Sequence, residues 1–559
     1  MAIFSGIWAI RPLLSHAPFL VALIGGVAVR WVTMLGYPGV LWFTGDSYFY
    51  LGRALRPEPS PSKTLGYSYL LNLLEPARSL ALVAVLQHLM GLAIAVMVYA
   101  LLRRAGLPGW AATLITLPIL YDAFQIQLEH LLMSEALFTF LIAAALTLLL
   151  WRALPPAAKA GERKAKDDQE PGTANGTGDG TEAAAEAAAE AAAEEGTADG
   201  EQDELRPERE TARNRNPAWW MALAAGLLIG YAVLVRSAGA PLVPLILLCL
   251  LMRRSGWRPA LLFGTAAATP LVAYAVMFHG TYGTYSLTTS DGLFLYGRTA
   301  PFADCAKMRP PSHMEALCLS PKLRAKERAP GHLIWQSEVP PRILFENVTS
   351  PEANATMRDF AVRAILAQPG DYLRAIGDGL GKAFSPNRFP HPTANTEALY
   401  HFPERPQLFP AGKGWGGGQH STALSDAARY ERSLVVSRIV QPHADRMVGY
   451  QRSVHLPGPA LGVIFLAGAA GTLLARDRRG ALLAWSVAAT LLVFPIASAD
   501  FDYRYVIPAM PFACLAAGLA VTRARRLPVG GAGSGGAAVT RSSGTPGSRR
   551  RGLDRASVR

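Results

Sequence analysis

The strongest constraint on the fold is a series of apolar stretches, each close to the length that a helix needs to cross a bilayer. A membrane-spanning helix takes roughly 20 predominantly apolar residues. The chain offers ten stretches of this kind, the third of them short: about 14–36, 79–102, 110–121, 131–152, 218–235, 238–252, 259–278, 457–475, 480–498 and 504–522. With 51% hydrophobic residues over 559 positions, the chain is too apolar and too long for one soluble domain. The sequence therefore predicts an all-α integral membrane protein with about ten transmembrane helices.

Basic residues between the apolar stretches indicate which side of the membrane each loop occupies. Short loops rich in Lys and Arg stay cytoplasmic. Such clusters follow alternate stretches: Arg103 with Arg104, Arg152 with Lys164 and Lys166, Arg253 with Arg254 and Arg258, the 476–479 group and the 523–526 group. They agree on one multi-pass topology in the cell membrane, with both termini cytoplasmic. The loop at 37–78, after the first stretch, is then on the outer face.

The same pattern divides the chain into regions. Transmembrane helices 1–4 fall in 1–152, helices 5–7 in 218–278 and helices 8–10 in 456–522. A linker (153–217) and a basic tail (523–559) lie on the cytoplasmic side. Gly, Ala and Glu dominate the linker and Gly, Ser and Arg the tail, so we expect both to be disordered.

The extracytoplasmic region 279–455 is long enough for a small domain of its own. We expect a mixed α/β structure, because Tyr282 to Tyr296 alternates like short strands. Ser350 before Pro351 predicts the start of a helix, and an amphipathic stretch follows from Tyr372.

Two cysteines of this region lie thirteen positions apart, Cys305 and Cys318. An oxidising compartment favours a disulfide between them over the alternative of two unpaired thiols.

The net charge of +13 does not indicate nucleic-acid binding. The segment 153–216 carries 8 basic and 16 acidic residues, so the positive charge lies largely at the predicted cytoplasmic helix ends and in the tail. Anionic lipid head groups attract such clusters. The predicted partners therefore include membrane lipids and no nucleic acid.

A carboxylate, Asp46, follows the first apolar stretch at the predicted outer mouth of the bundle. The segment runs Thr44-Gly45-Asp46-Ser47-Tyr48-Phe49-Tyr50 and leads into a proline-rich loop. Asp46 could be a helix N-terminal carboxylate, stabilised by the helix dipole and otherwise idle. It could instead be a reacting group. The residues alone favour the capping role and leave the reacting role open.

Four segments, taken in order, resemble the GT-C superfamily of membrane glycosyltransferases. The first segment holds Asp46, the aromatic residues that follow it, and the later Gly66-Tyr67. The other three are Gln87-His88, His130 to Leu141, and Asp502 to Pro508. The third segment is similar to a Ser-Glu-Pro-Leu-Phe motif of this superfamily, with Ala136 in place of Pro. The fourth is similar to the Arg-Tyr-x-x-Pro sequence that begins a transmembrane helix near the C-terminus of these proteins. More closely, the chain resembles the branch that uses polyprenyl-phosphate sugars, including protein mannosyltransferases and lipid A aminoarabinose transferases. The resemblance covers most of 14–152 and 218–522.

The resemblance implies a site built on carboxylates and arginines. Asp46 would be the base that takes the proton of an acceptor hydroxyl. Arg504 and Arg236 would bind the leaving phosphate, because a guanidinium stays charged and binds phosphate through two hydrogen bonds; each could instead be an interfacial anchor. Glu135 would be a second site carboxylate that binds acceptor or metal, or only the partner of an arginine.

His130 and Tyr48 complete the predicted substrate-binding residues, whereas Gln87 with His88 is expected to form a hydrogen-bonded pair inside the bundle. No two of the predicted outer histidines have the close helical spacing of a zinc site. The sequence specifies no cofactor and leaves a divalent metal open.

The function that this resemblance implies is glycosyl transfer, of a hexose or a pentose and with inversion. A sugar would pass from a polyprenyl-phosphate donor to a glycan, lipid or protein acceptor on the outer face. The alternative is a transporter or flippase for a lipid-linked or anionic substrate, although the sequence has no inverted internal repeat. A non-catalytic assembly protein would leave Asp46 and Glu135 unexplained.

Overall fold

The computed structural model describes residues 15–43, 45–154, 217–252, 257–326, 329–410, 421–433, 435, 437–474 and 479–524. These residues form helices joined by loops, and the only β-type pairing recorded among them is one parallel bridge between Leu41 and Leu131. The predicted disorder of the linker and the tail concerns residues that lie almost entirely outside this description.

The helices follow the predicted apolar stretches closely. Those before the linker are α1 (Ala17–Gly36), α2 (Asp46–Leu55), α3 (Gly66–Leu74), α4 (Leu80–Arg104), α5 (Gly109–Tyr121), α6 (Ala123–His130) and α7 (Glu135–Trp151). Those directly after it are α8 (Trp219–Val235), α9 (Leu242–Met252) and α10 (Trp257–Tyr282). The last three are α22 (Gly458–Leu474), α23 (Arg479–Ser498) and α24 (Tyr503–Ala524).

Between α10 and α22 the described residues form shorter helices. They are α11 (Asp291–Thr299), α12 (Cys305–Met308), α13 (Ser312–Glu315), α14 (Pro321–Arg324), α15 (His332–Trp335), α16 (Pro340–Leu344), α17 (Pro351–Ala367), α18 (Pro369–Ala383), α19 (Ala394–Ala398), α20 (Ala423–Glu431) and α21 (His443–Ser453). The prediction of a mixed α/β domain here is wrong for the part of 279–455 that the structure describes, because that part holds helices and no strands.

A contact from a distant helix explains why the strand prediction failed. Asn354, on α17, accepts hydrogen bonds from the backbone N–H groups of Gly292 and Leu293 at 2.8 and 3.3 Å. The free N–H groups of a first helical turn need such partners, and here the partner is 61 or more residues away. The alternation between Tyr282 and Tyr296 could not reveal it.

Two other predictions for this region are confirmed. The Ser350 side chain accepts from the Ala353 N–H at 3.2 Å, and α17 begins at Pro351. Cys305 and Cys318 form a disulfide.

Among the described residues, five helices are long and apolar enough to cross a membrane, namely α1, α4, α10, α23 and α24. Two bent pairs raise the number to seven if each is one span: α5 with α6, at 49°, and α21 with α22, at 57°. The apolar helices α7, α8 and α9 are shorter. A multi-pass membrane protein is therefore supported, while a count of ten spans stays a prediction.

Two glycines allow a close approach of the helices α8 and α10 inside the bundle. A Cβ atom at Gly226 would lie 2.3 Å from the Phe263 carbonyl oxygen, and one at Gly230 would lie 2.4 Å from that of Ala267. Small residues four apart allow two backbones in a membrane to approach this closely. The contact packs α8, which ends just before Arg236, against α10.

Candidate functional site

Short-range contacts position Asp46 at the start of α2. The Leu41 N–H donates to the His130 carbonyl at 3.0 Å, and the Leu132 N–H donates to the Leu41 carbonyl at 2.9 Å. These bonds attach the segment after α1 to the segment before α7. Gly45 has a φ of 85°, a left-handed conformation that glycine adopts without strain. The chain turns there, and α2 starts with the carboxylate in its first turn.

Two cations from distant parts of the chain contact the Asp46 carboxylate. Lys63, in the loop after α2, binds one oxygen, and Arg504, in the first turn of α24, binds the other. Burial would raise the pKa of Asp46, but the charges of Lys63 and Arg504 outweigh it and hold that pKa well below its usual range. Asp46 is therefore ionised near neutral pH. The Asp46 side chain is 16% exposed, so a substrate can reach the carboxylate.

Arg504 also contacts a carboxylate of its own segment. Its Nε lies 3.0 Å from Asp502 Oδ2, and the Tyr400 hydroxyl donates to the other Asp502 oxygen. Asp502 thus shares the Arg504 guanidinium with Asp46. The arrangement orients the guanidinium towards the N-terminus of α2.

A second ion pair lies beside the first. Arg236, which follows α8, donates to Glu135 in the first turn of α7. It also donates to Ser134 Oγ at 3.3 Å, and Ser134 in turn lies 3.0 Å from the Tyr50 hydroxyl. Asp46 and Tyr50 are four residues apart on α2 and so share one face of that helix.

The ring of Tyr505 connects the two ion pairs. The Arg504 guanidinium carbon is 5.5 Å from its centroid, and the Arg236 guanidinium carbon is 5.8 Å from it. Both cations thus approach the same aromatic ring, within the range of a cation–π contact. The structure therefore brings together Asp46, Arg504, Glu135 and Arg236, four of the residues singled out in the sequence.

The structure puts His130 and Tyr48 in other surroundings. Tyr48 stacks on Trp42, with centroids 5.2 Å apart, and keeps 3% of its exposure. The Nε2 atom of His130 lies 2.9 Å from the Tyr37 carbonyl and its Nδ1 atom 3.0 Å from His88 Nε2. Their recorded contacts are those of packing and of a buried network.

That network is centred on Glu129. Arg30 donates to both oxygens of Glu129, at 2.8 and 2.9 Å, and His88 Nδ1 lies 2.9 Å from one of them. Gln87 donates to the Glu129 and Leu131 carbonyls at 2.9 and 2.8 Å. The expected hydrogen-bonded pair inside the bundle thus has its partners on the segment that leads to α7.

Two site residues were missed in the sequence, Lys63 and Asp502. The first outer loop has four basic residues, Arg53, Arg56, Lys63 and Arg78, and nothing in the pattern separates Lys63 from the rest. Asp502 did carry a signal, because it stands two positions before Arg504.

The donor set does not fit a divalent metal. Asp46 and Glu135 already contact an ammonium or a guanidinium, which would repel a metal ion. No group of three or more His, Cys, Asp or Glu side chains that could hold a metal occurs among the residues that the structure describes.

Comparison with known proteins gives distant structural likenesses. No protein-family model and no curated protein matches the chain. One similar structure is the archaeal oligosaccharyltransferase AglB from Archaeoglobus fulgidus in complex with an inhibitory peptide and a dolichol-phosphate, with 13% identity, a TM-score of 0.38, and coverage of 92% of this chain and 50% of that one. Another is the apo form of the Archaeoglobus fulgidus oligosaccharyltransferase, with 13% identity, a TM-score of 0.36, and coverage of 89% and 50%. The chain spans about half the length of these proteins, and scores this low carry no weight for function.

Proposed function

We propose that the protein is a membrane glycosyltransferase. It moves a sugar from a polyprenyl-phosphate donor to an acceptor hydroxyl on the outer face of the membrane, with inversion. The observation that carries this proposal is the Asp46 carboxylate between two cations, Lys63 and Arg504, with Arg236 beside them. A base and a phosphate-binding set of cations at one place are what this reaction needs.

The reaction uses these groups in balanced roles. The acceptor oxygen attacks the anomeric carbon, and its proton passes to an Asp46 oxygen. The bond between the anomeric carbon and the phosphate oxygen breaks, and its electron pair leaves with the polyprenyl phosphate. Lys63, Arg504 and Arg236 stabilise the negative charge that develops on that phosphate.

The ion pairs also account for how the base becomes active. Bound to two cations, Asp46 has a low pKa and accepts a proton poorly. A donor phosphate competes for Lys63 and Arg504, and its binding leaves the carboxylate with fewer positive neighbours. The pKa of Asp46 then rises towards the range of a useful base, so that donor binding prepares the site.

Glu135 has a positioning role in this proposal. Its contact with Arg236 fits the alternative in which Glu135 is only the partner of an arginine. Glu135 keeps 1% of its exposure, so it holds the guanidinium in one direction without meeting the acceptor. Arg236 then presents its remaining N–H groups towards the phosphate.

The test is sugar transfer by the full-length protein in proteoliposomes. Radiolabelled polyprenyl-phosphate sugars are supplied with glycan, lipid and peptide acceptors, and labelled product and free polyprenyl phosphate are measured. We expect product from the wild type, and from Asp46→Asn a transfer rate lower by roughly 10²–10⁴-fold. Translocation of the donor across the bilayer without any sugar transfer would instead support the transporter alternative.

A further inference from the structure

A second polar region lies outside the Asp46 site, in a cleft of about 690 Å³. It is bounded by α11, α14, α15, α18, the 390–392 loop and the residue Asp500 before α24. Its volume falls within the roughly 300–1,000 Å³ of clefts that bind small ligands. No role has so far been assigned to it.

The side chains of the cleft carry nearly balanced charge. Four cations line it, from Arg298, Arg324, Arg374 and Lys382, against three carboxylates, from Asp371, Asp378 and Asp500. An anionic ligand would lie close to the carboxylates, and a cationic one close to the arginines. The lining favours a neutral ligand with many polar groups.

Two buried atoms in the cleft have unmet hydrogen-bonding capacity. Arg298 keeps 7% of its exposure, and its Nε donor has no hydrogen-bond partner among the described residues. The Oδ2 acceptor of Asp500 likewise has none within that part of the chain. The two side chains are neighbours, because Arg298 Nη1 lies 3.9 Å from Asp500 Oδ1. A buried polar atom without a partner is costly, and a hydroxyl group, both donor and acceptor, can satisfy both atoms.

Other groups fix the Asp500 carboxylate. Its Oδ1 atom lies 3.0 Å from His391 Nε2 and accepts from the Phe501 N–H at 2.7 Å. Lys382 Nζ lies 3.4 Å from the other ring nitrogen of His391. These contacts hold one Asp500 oxygen in place, while the other has no partner among the described residues and can accept from a ligand.

The cleft is also connected to the Asp46 site. Asp500 and Asp502 are separated by a single residue, so their Cα atoms lie within about 7 Å of each other. Asp502 contacts Arg504, which contacts Asp46. The cleft and the Asp46 site are therefore linked through the short segment from Asp500 to Arg504.

We propose that this cleft binds a neutral glycan segment of the acceptor. This inference rests on the proposed function, because it makes the bound glycan the molecule whose hydroxyl is glycosylated. Asp500 accepts from one sugar hydroxyl, and Arg298 donates to the same or a neighbouring oxygen. The exposed Asp378 and the half-buried Lys382 bind further hydroxyls.

Binding of defined oligosaccharides to the full-length protein in nanodiscs tests this proposal. The probes are neutral tetrasaccharides of glucose, mannose, galactose or arabinose, with inorganic phosphate as the anionic comparison, and affinity is measured by calorimetry. We expect at least one tetrasaccharide to bind, and Asp500→Asn to weaken it about tenfold or more. If Asp500→Asn folds poorly, Asp378→Asn, a substitution of an exposed residue in the same cleft, provides a second test.

Asp359→Asn is the matched control, because Asp359 lies on the exposed side of α17 and pairs with Arg363 at 3.1 Å. We expect it to bind the probe like the wild type. The proposal is overturned if no tetrasaccharide binds, if phosphate displaces the tetrasaccharide at equal concentration, or if the control weakens binding as much. Asp46→Asn separates the two proposals: it should keep the affinity and lose transfer, and full transfer by that variant would refute the enzymatic role while leaving the binding result intact.

Discussion

Two ionic clusters in this protein use the same residue types in opposite ways. The Glu129 cluster (Arg30, Glu129, His88 and His130) is closed, and its central carboxylate and guanidinium each keep 3% of their exposure. The Asp46 cluster (Asp46, Lys63, Arg504 and Asp502) is open, with exposures of 28% for Lys63 and 20% for Arg504. A closed cluster can only stabilise the bundle, whereas an open one can exchange its partners for a ligand.

The difference follows from what each cluster joins. Glu129 connects α1, α4 and α6 within the bundle, where an unpaired charge is very costly. Each oxygen of Glu129 therefore has several fixed donors. The Asp46 cluster joins a loop, the start of α2 and the start of α24. Its cations are more exposed than Arg30 and Glu129. Substitutions in the two clusters should separate activity from stability.

The largest expected effect is the loss of transfer in Asp46→Asn. Asn is nearly the same size and can still lie at a helix start, but it cannot take the acceptor's proton. A positioned base contributes roughly 10²–10⁴-fold in rate, so transfer should fall by that amount. The measurement is initial rate at matched protein levels, with the thermal midpoint in detergent as the folding control. A rate within a few-fold of the wild type would remove Asp46 from the mechanism.

Glu129→Gln should lower stability and leave the transfer rate nearly unchanged, the reverse of the result expected for Asp46→Asn. The change leaves the Arg30 guanidinium buried without its counter-charge, and breaking a buried ion pair in this way costs about 3–5 kcal/mol. We expect a lower thermal midpoint and reduced yield, while the folded fraction keeps transfer within a few-fold of the wild type. If the variant is stable and inactive, Glu129 takes part in the reaction and the distinction between the clusters fails.

Arg504→Lys tests the geometry of the open cluster. Lysine keeps the charge but loses the paired N–H groups that bind a phosphate through two oxygens. The loss of one charge-assisted hydrogen bond costs about 1.5–3 kcal/mol, which corresponds to roughly 10- to 100-fold in rate. Arg452→Lys, an exposed arginine paired with Glu404 at 3.2 Å, is the control. Equal rates for Arg504→Ala and the wild type would make Arg504 an interfacial anchor only.

The pH dependence of the open cluster gives a further prediction. The pKa of Asp46 is lowered by Lys63 and Arg504, so their ion pairs stabilise the fold above the ordinary carboxyl pKa of 3.8 and are lost only as the pH falls through the lower folded value. Lys63→Met removes one of these charges and should raise the pKa of Asp46. The acid limb of the rate profile should then move to higher pH. An unchanged acid limb would show that Lys63 does not control this carboxylate.

The sequence predicted the helices better than it predicted their contacts. Apolar length alone located α1, α4, α10 and α24 to within a few residues, because a span must satisfy its own backbone. The pairing of Asp46 with Arg504 crosses 458 positions. The resemblance gave both residues roles in one site but did not predict that they pair. Lys63 could not be predicted, since its proximity to Asp46 depends on the path of a proline-rich loop. The helix α11 was missed because its cap comes from α17.

The smallest expected effect concerns Tyr48, a predicted substrate-binding residue whose surroundings differ from those of the Asp46 cluster. Tyr48 lies flat against Trp42, at 10° between the rings, and burial raises its pKa to about 12, so the phenol stays neutral. Phenylalanine keeps the stacking surface and removes only the hydroxyl. Among the described residues the Tyr48 hydroxyl has no recorded hydrogen bond, so Tyr48→Phe should leave both the transfer rate and the thermal midpoint close to wild type, within about twofold in rate. Tyr50→Phe is the matched comparison, because its hydroxyl lies 3.0 Å from Ser134 beside Arg236 and its loss should slow transfer more. If Tyr48→Phe instead slows transfer tenfold with an unchanged midpoint, the Tyr48 hydroxyl contacts substrate, and the functional site extends from the open cluster to the aromatic packing around Trp42.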